Sequence, residues 1–163
     1  MIDNGLLVSY NSIMGRIVTF IGHRLINENY VLPKLKSAIE IEINDGVTDF
    51  ILGFHGQFDS LVLKILLKKK KIDNKISIDL VFPDLNSANA FMKIYPDTFK
   101  LVTSVIYDTE LIHYKRRINY SNKSMIDDSD KLICYVDKEV DLSGAKTALV
   151  YAEKKGKEII NLY

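Results

Sequence analysis

Short apolar runs alternate along this chain with longer segments in which apolar residues recur at a helical period. The runs are rich in Val, Ile, Phe and Tyr and often close on Gly, Pro or Asp, which is typical of strands, several of them buried on both faces of a parallel sheet. They cover residues 16–22, 48–53, 76–82, 101–107, 131–136 and 158–163. Segments of helical period cover residues 31–44, 60–71, 114–128 and 144–155.

This alternation predicts an α/β fold: a three-layer, doubly wound (Rossmann-like), mostly parallel sheet with helices on both faces. We expect a single domain over residues 16–163, preceded by an irregular N-terminal lead-in over residues 1–15. The pattern is weakest in region 84–115, which includes the strand predicted over 101–107.

Proline and glycine support these boundaries. Pro83 ends one predicted strand, and Pro33 fits the first turn of a helix. Gly46 and Gly156 stand where helices stop, and Gly156 is positioned for a left-handed C-cap. Pro96 breaks the weakly patterned stretch 84–98.

Composition places the chain among ordinary globular proteins, with 47% hydrophobic and 26% charged residues. The formal net charge of +1 supplies no global field toward nucleic acid or an anionic membrane. Cys134 is the only cysteine, so no internal disulfide can form, and a buried thiol is expected. The lead-in has no signal-peptide pattern, and no segment approaches the ~18 apolar residues of a membrane span. We therefore expect a cytoplasmic protein with no membrane partner.

Ligands of open parallel sheets bind at the carboxyl ends of the strands, where loops lead into helices. Three clusters follow predicted strands here: "GHR" at 22–24, "GFHGQFD" at 53–59 and "DLSGAKT" at 141–147. These loops are the first candidates for a binding site.

In "GFHGQFD", Gly53 and Gly56 can adopt positive φ and let a ligand approach the main chain, while a helix beginning near Ser60 offers free N–H groups. Asp59 has two interpretations. It stands where an N-cap stands, and spacing favours that role. Alternatively its carboxylate accepts hydrogen bonds from sugar hydroxyls. The GxxG spacing lacks the full GxGxxG dinucleotide fingerprint.

"SGAKT" is the better phosphate candidate. Ser143 can cap the last helix, Gly144 keeps the backbone accessible, and the amides of Ala145 and Lys146 would point at an anion. The competing interpretation is an ordinary Ser-Gly helix start. It is not a Walker loop, because GxxxxGK[ST] is absent.

Other polar residues add candidates. His23 and Arg24 follow the first strand, and Arg is well suited to bidentate phosphate contact. Asn122 lies on the inward stripe of segment 114–128, where it either satisfies neighbouring backbone or faces a pocket. The three histidines lie on different segments with no metal-ligand spacing, so we expect no metal site. Lys64, Lys68, Lys71 and Lys75 form a basic face that is typical of a solvated helix surface. A nucleic-acid patch is the alternative, but the face lacks interleaved aromatic residues.

Taken together, "VTFIGHR", "FILGFHGQFDSLVL", "SNKSMIDDSDKLICYV" and "SGAKTALVYAEKKGKEIINL" resemble the SLOG superfamily of Rossmann-like nucleotide-binding proteins, in particular its YpsA-like branch of small bacterial and phage proteins. The match is collinear from about residue 17 to residue 163. The superfamily includes the DNA-processing protein DprA, cytokinin-activating phosphoribohydrolases and sensor domains thought to bind NAD-derived or other nucleotides. The resemblance also implies a homo-oligomer.

The resemblance implies a set of ligand-binding residues. The branch shows GHR after the first strand, a G-N-H-G-x-F-D loop, an R-N-x-x-M motif and a GGA loop. Phe54 and Ser121 replace the usual Asn and Arg of the second and third motifs, and Arg117 lies one turn before Ser121. The implied binding residues are Gly22, His23, Arg24, Gly53, His55, Gly56, Asp59, Asn122, Ser143, Gly144 and Ala145, to which the helix start adds Lys146.

Three functions follow as hypotheses. The leading one is a non-catalytic or weakly catalytic module that binds an adenine nucleotide or an ADP-ribose-like ligand. The second is a nucleotide hydrolase in which Asp59 is the acid or base and His55 or Arg24 steadies the leaving group. The PGGxGTxxE motif of the phosphoribohydrolases is absent, so hydrolysis in their style is unsupported. The third is a DprA-like single-stranded DNA binder, which near-neutral charge makes least favoured.

Overall fold

The computed structural model describes residues 15–163, and the predicted lead-in lies outside the described residues apart from Gly15. The strands are β1 (Ile17–Gly22), β2 (Asp49–Leu52), β3 (Ser77–Val81), β4 (Thr103–Val105), β5 (Lys131–Tyr135) and β6 (Glu158–Asn161). The α-helices are α1 (Glu28–Asn44), α2 (Gln57–Ile72), α3 (Leu85–Ile94), α4 (Pro96–Phe99), α5 (Arg117–Asp127) and α6 (Gly144–Lys154). A 3-10 turn, Tyr114–Arg116, precedes α5.

The six strands form one sheet in the order β4-β3-β2-β1-β5-β6, and every neighbouring pair is parallel. Helices α1, α2 and α3 pack on one face around Phe20, Phe50 and Leu80. Helices α5 and α6 pack on the other face around Cys134, whose pKa burial raises to about 12. The prediction of a three-layer α/β fold is confirmed. No helix of the described chain is long and apolar enough to span a membrane.

The helix ends confirm two glycine predictions and correct one proline prediction. Gly46 and Gly156 have positive φ of 95° and 69°, the only such values in residues 15–163. Each follows a helix end and forms a Schellman-type turn, as in the bonds from Gly46 and Val47 to α1 carbonyls. Pro33 lies inside α1, because the helix begins three residues earlier than predicted, at Glu28. Asn29 and Pro33 are both exposed, so the hydrogen bond that proline cannot donate is lost on the solvent side.

Region 84–115 contains two helices that the pattern did not resolve, α3 and α4, with Pro96 at the first position of α4. Asp84 caps α3 by accepting the Ser87 N–H at 2.8 Å. The strand predicted over 101–107 shrinks to Thr103–Val105, because β4 is an edge strand and none of its residues is fully buried.

Candidate functional site

The strand order places a topological switch between β1 and β5, since β2, β3 and β4 extend the sheet to one side and β6 to the other. In open parallel sheets, ligands bind in the crevice outside the carboxyl ends of strands at such a point. A cleft of about 920 Å³ lies there. Most of the predicted binding residues line it: Gly22, His23, Arg24, His55, Asp59, Asn122, Ser143, Gly144 and Ala145. Gly53, Gly56 and Lys146 do not.

A polar bridge joins the loops after β1 and β5. The Asp137 N–H donates to His23 Nε2 at 2.8 Å, and His23 Nδ1 lies 3.4 Å from Ser143 Oγ. Because a backbone N–H can only donate, Nε2 is the unprotonated nitrogen and Nδ1 carries the proton. Burial lowers the pKa of His23, although the negative charge of Asp137 raises it, so the ring is neutral at pH 7.

The bridge leaves the Ser143 hydroxyl proton available to the cleft. Ser143 caps α6 as predicted: its Oγ accepts the Lys146 N–H at 3.3 Å. With Oγ also facing the His23 Nδ1–H, both contacts use oxygen lone pairs. The serine O–H therefore has no acceptor among residues 15–163 and can donate to a ligand.

Two helix amino termini open into the cleft. Within the described chain, the N–H groups of Gly144 and Ala145 at the start of α6 bond to no protein acceptor. Asn27 precedes α1, lines the cleft and makes no side-chain cap. Free N–H groups and the partial positive charge of a helix start favour an anion. The exposed guanidinium of Arg24 stands at the same cleft.

The opposite wall carries a buried carboxyl group. Asp59 is 8% exposed, and its Oδ2 accepts the His55 N–H at 2.9 Å. Burial raises the pKa of Asp59 to about 6, although that hydrogen bond and the charge of Arg24 lower it. Burial and the Arg24 charge lower the pKa of His55 to about 4, so its imidazole is neutral at pH 7.

The helix-cap prediction for Asp59 is wrong. Helix α2 begins at Gln57 with Gly56 as its N-cap, so Asp59 lies in the first turn rather than before it. Its carboxylate reaches back to the N–H of His55 and thereby fixes the loop that the helix leaves.

Gly53 and Gly56 do not adopt the positive φ that glycine permits, and Gly56 is fully extended at φ −178°. Gly56 is needed for a different reason: a Cβ there would lie 2.5 Å from Arg24 Cα. Gln57 ties the same loops together, donating its N–H to Arg24 O at 2.8 Å and accepting the Ile26 N–H at its Oε1 at 2.9 Å. The glycine thus lets the loop after β2 press against the loop after β1.

Helix α5 contributes a polar face to the cleft. Asn122 is 9% exposed and lines the cleft. Of the two roles expected for this inward amide, it therefore faces a pocket. Arg117 does not substitute for the arginine that Ser121 replaces, because it bonds Ile112 O and pairs with Asp84 at 3.3 Å. The cation at this side of the cleft is Lys115, which lies in the 3-10 turn before α5.

Several lining residues escaped the sequence analysis. Lys115 and Asn119 come seven and three residues before Asn122, a spacing that is typical of one helical face, so the period of segment 114–128 held a usable signal, although Lys115 itself lies in the 3-10 turn. Tyr135 lies opposite Gly22 in the sheet register and stacks on Phe58. No local pattern marks Tyr163, which reaches the cleft by donating its hydroxyl to Asp137 at 3.0 Å.

In residues 15–163, no group of three or more His, Cys, Asp or Glu side chains is arranged to hold a metal ion. No protein-family model matches the chain, and no curated protein sequence matches it. The residues of the cleft itself are therefore the basis for assigning a function.

Proposed function

We propose that the cleft binds a phosphate-bearing nucleotide, an adenine nucleotide or an ADP-ribose-like molecule, and that the protein acts as a sensor or sequestering module. The observation that carries this is the convergence of the loops after β1, β2 and β5 on one cleft at the switch point of the sheet. The resemblance to the YpsA-like branch of the SLOG superfamily supports the same class of ligand.

The cleft offers different chemistry at different walls. Free N–H groups at Gly144 and Ala145, the Ser143 hydroxyl and the Arg24 guanidinium suit phosphate oxygens. The buried carboxyl of Asp59 suits the hydroxyl groups of a sugar, which can donate hydrogen bonds to it. An anionic group suits this position less, because the ionised carboxylate would repel it. Tyr163, which is exposed and packs on the buried Tyr135, provides an aromatic surface. Phosphate, sugar and base thus each have a matching wall.

A ligand series tests this proposal. Calorimetry and thermal unfolding with AMP, ADP and ADP-ribose should show binding and stabilisation, and adenosine, which lacks phosphate, should bind much more weakly. Absence of stabilisation by all three phosphorylated ligands at millimolar concentration would refute the proposal.

A pair of arginine variants locates the binding. Arg24→Gln should weaken phosphate-dependent binding about tenfold or more, since a charge-assisted contact contributes roughly 1.5–3 kcal/mol. Arg116→Gln removes the same charge from an exposed position in the 3-10 turn outside the cleft lining and should leave affinity within about twofold. Equal affinity of both variants would place the ligand elsewhere.

Nucleotide hydrolysis is a second candidate, and the pKa of Asp59 favours it. A carboxyl group with a pKa of about 6 can exchange a proton near neutral pH, as a general acid or base must. His55, with a pKa of about 4, is neutral and can steady a leaving group only as a hydrogen-bond partner. Chromatography of incubated nucleotides should show product with the wild type and none with Asp59→Asn; equal release by both would exclude Asp59 as the catalytic group.

A further inference from the structure

A second groove lies between α5 and α6, outside the cleft. It encloses about 310 Å³ and is lined by Lys123 of α5 and by Lys146, Thr147, Val150 and Lys154 of α6. Lys146 belongs to the predicted phosphate loop, yet its side chain lines this groove and not the cleft. The groove therefore accounts for a residue that the proposed function leaves unused.

The groove concentrates positive charge. Across residues 15–163, the ammonium groups of Lys123, Lys146 and Lys154 have no carboxylate within 4 Å, whereas neighbouring Lys155 pairs with Asp127 at 3.6 Å. Asp141 lines the groove as its single acidic residue. With a net charge of only +1, the chain has no general excess of cations to distribute here. Unpaired ammonium groups that line one groove repel one another, and a bound anion would reduce that repulsion.

One wall of the groove is held in place. The Tyr151 hydroxyl donates to the Asp127 carboxylate, with oxygen contacts of 2.8 and 2.9 Å. The Nζ of Lys123 stands 5.4 Å from the centroid of the Tyr151 ring, and the Nζ of Lys155 stands 5.3 Å from it. This anchored ring positions Lys123 beside the groove through a cation–π contact.

We propose that this groove is a second anion site that binds phosphate groups through Lys123, Lys146 and Lys154, independently of the cleft. The ligand chemistry is a phosphate-bearing polyanion, because three lysine side chains line this one small groove. A free di- or triphosphate and a nucleic-acid backbone share that chemistry, and the experiment separates them.

The test uses ¹⁵N NMR titration of the whole chain with inorganic pyrophosphate. Amide signals of Thr147, Val150 and Tyr151 should shift in a saturable manner, and they should still do so in Arg24→Gln, whose cleft is impaired. Absence of saturable shifts at these amides with 10 mM pyrophosphate, on the order of the weakest useful affinity, would overturn the proposal.

Matched variants test the lysines. Lys123→Gln with Lys154→Gln should weaken pyrophosphate binding at least tenfold. Lys36→Gln with Lys93→Gln removes the same charge from exposed positions on α1 and α3 and should change affinity less than twofold. Equal loss in both double variants would mean a non-specific response to charge and would overturn the site. Thermal unfolding of each variant confirms that it is folded.

Oligothymidylates of different length distinguish the two sources of the phosphate group. If affinity for oligothymidylate rises with length and falls steeply with salt, the groove takes a nucleic-acid backbone. If pyrophosphate binds as tightly as the longest oligomer, the groove takes a small phosphorylated molecule. Either result supports the site, and failure of both ligands to bind removes it.

Discussion

The two rims of the sheet bury charged groups in different ways. At the amino-terminal rim, Lys131 and Glu42, which are 6% and 1% exposed, bond each other, and Lys131 also contacts Glu158 at 3.1 Å. At the carboxyl rim, Asp59 is 8% exposed and accepts one backbone N–H, with no cationic side chain within 4 Å in the described chain.

The pKa shifts follow from that difference. Burial opposes the charge of Lys131, but the hydrogen bonds to Glu42 and Glu158 outweigh it and raise the pKa. For Asp59 burial outweighs its partners, so the charged form is disfavoured. The buried ion pair of Lys131 and Glu42 joins a strand to a helix. The Asp59 carboxyl has no cationic partner among the described residues and keeps hydrogen-bonding capacity for a ligand in the cleft.

The largest expected effect is at the amino-terminal rim. Lys131→Met leaves the Glu42 carboxylate buried without its cation, which should lower the free energy of unfolding by about 4 kcal/mol. Combining Lys131→Met with Glu42→Leu removes both charges and should recover most of that loss. Urea unfolding at pH 7 measures both variants. If the double variant is as unstable as the single one, lost packing and not unpaired charge is the cause.

At the carboxyl rim, the next largest effect comes from crowding. Gly56→Ala places a Cβ against the Arg24 backbone and should cost about 2 kcal/mol, because neither loop can move without breaking the Gln57 bonds. Gly144→Ala is the control, since its nearest neighbour is the side-chain oxygen of Asn119 at 3.2 Å, which can move. Equal stability of the two variants in urea unfolding would show that the loops are not pressed together.

The pKa of Asp59 predicts a pH dependence. Because the folded-state pKa is raised from 3.8 to about 6, the contribution of this group is fully present below pH 4 and is lost as pH rises through 6. Asp59→Asn removes that loss, so its stability relative to the wild type should increase by about 2 kcal/mol between pH 4 and pH 7. A relative stability that does not change with pH would mean that Asp59 is solvated and ordinary.

His55 should show the opposite sign. Its folded-state pKa is lowered from 6.5 to about 4, so its contribution is present above pH 6.5 and is lost as pH falls through 4. His55→Gln should therefore lose stability relative to the wild type as pH rises from 4 to 7, by about 2 kcal/mol. Urea unfolding across this range measures it, and the same slope for His55→Gln and Asp59→Asn would contradict both assignments.

The sequence predicts the fold well because most strands are buried runs. All five residues of β5 are buried, so an apolar run marks the strand directly. Helix α3 has only 10 residues and buries only Ala88 and Phe91, so its apolar pattern covers too short a stretch to define the bounds of a helix. The strand-end loops follow from parallel topology, and thus the cleft was predictable from chain order.

The roles of individual site residues were less predictable because they depend on contacts between distant segments. Gly56 is constrained by Arg24, which belongs to another loop, and nothing near residue 56 in the chain reports that contact. The role of Asp59 depends on the residue at which α2 begins. The apolar pattern predicts a start near Ser60, whereas the helix begins at Gln57. Helix boundaries are set by loop contacts that local pattern does not contain.

The smallest expected effect concerns how the cleft loop after β5 is held. The side chain of Asn161 accepts the Val136 N–H at 3.0 Å and donates to Val136 O at 2.9 Å, so it continues the sheet ladder by one step. Asn161→Ala should cost about 1 kcal/mol in urea unfolding, because β5 and β6 still pair over four residues. The loop that carries Asp137 would lose its fixed position, so the proposed nucleotide affinity should fall more than stability does. Unchanged affinity would show that the bonds of Asp137 to His23 and Tyr163 are enough to hold this side of the cleft.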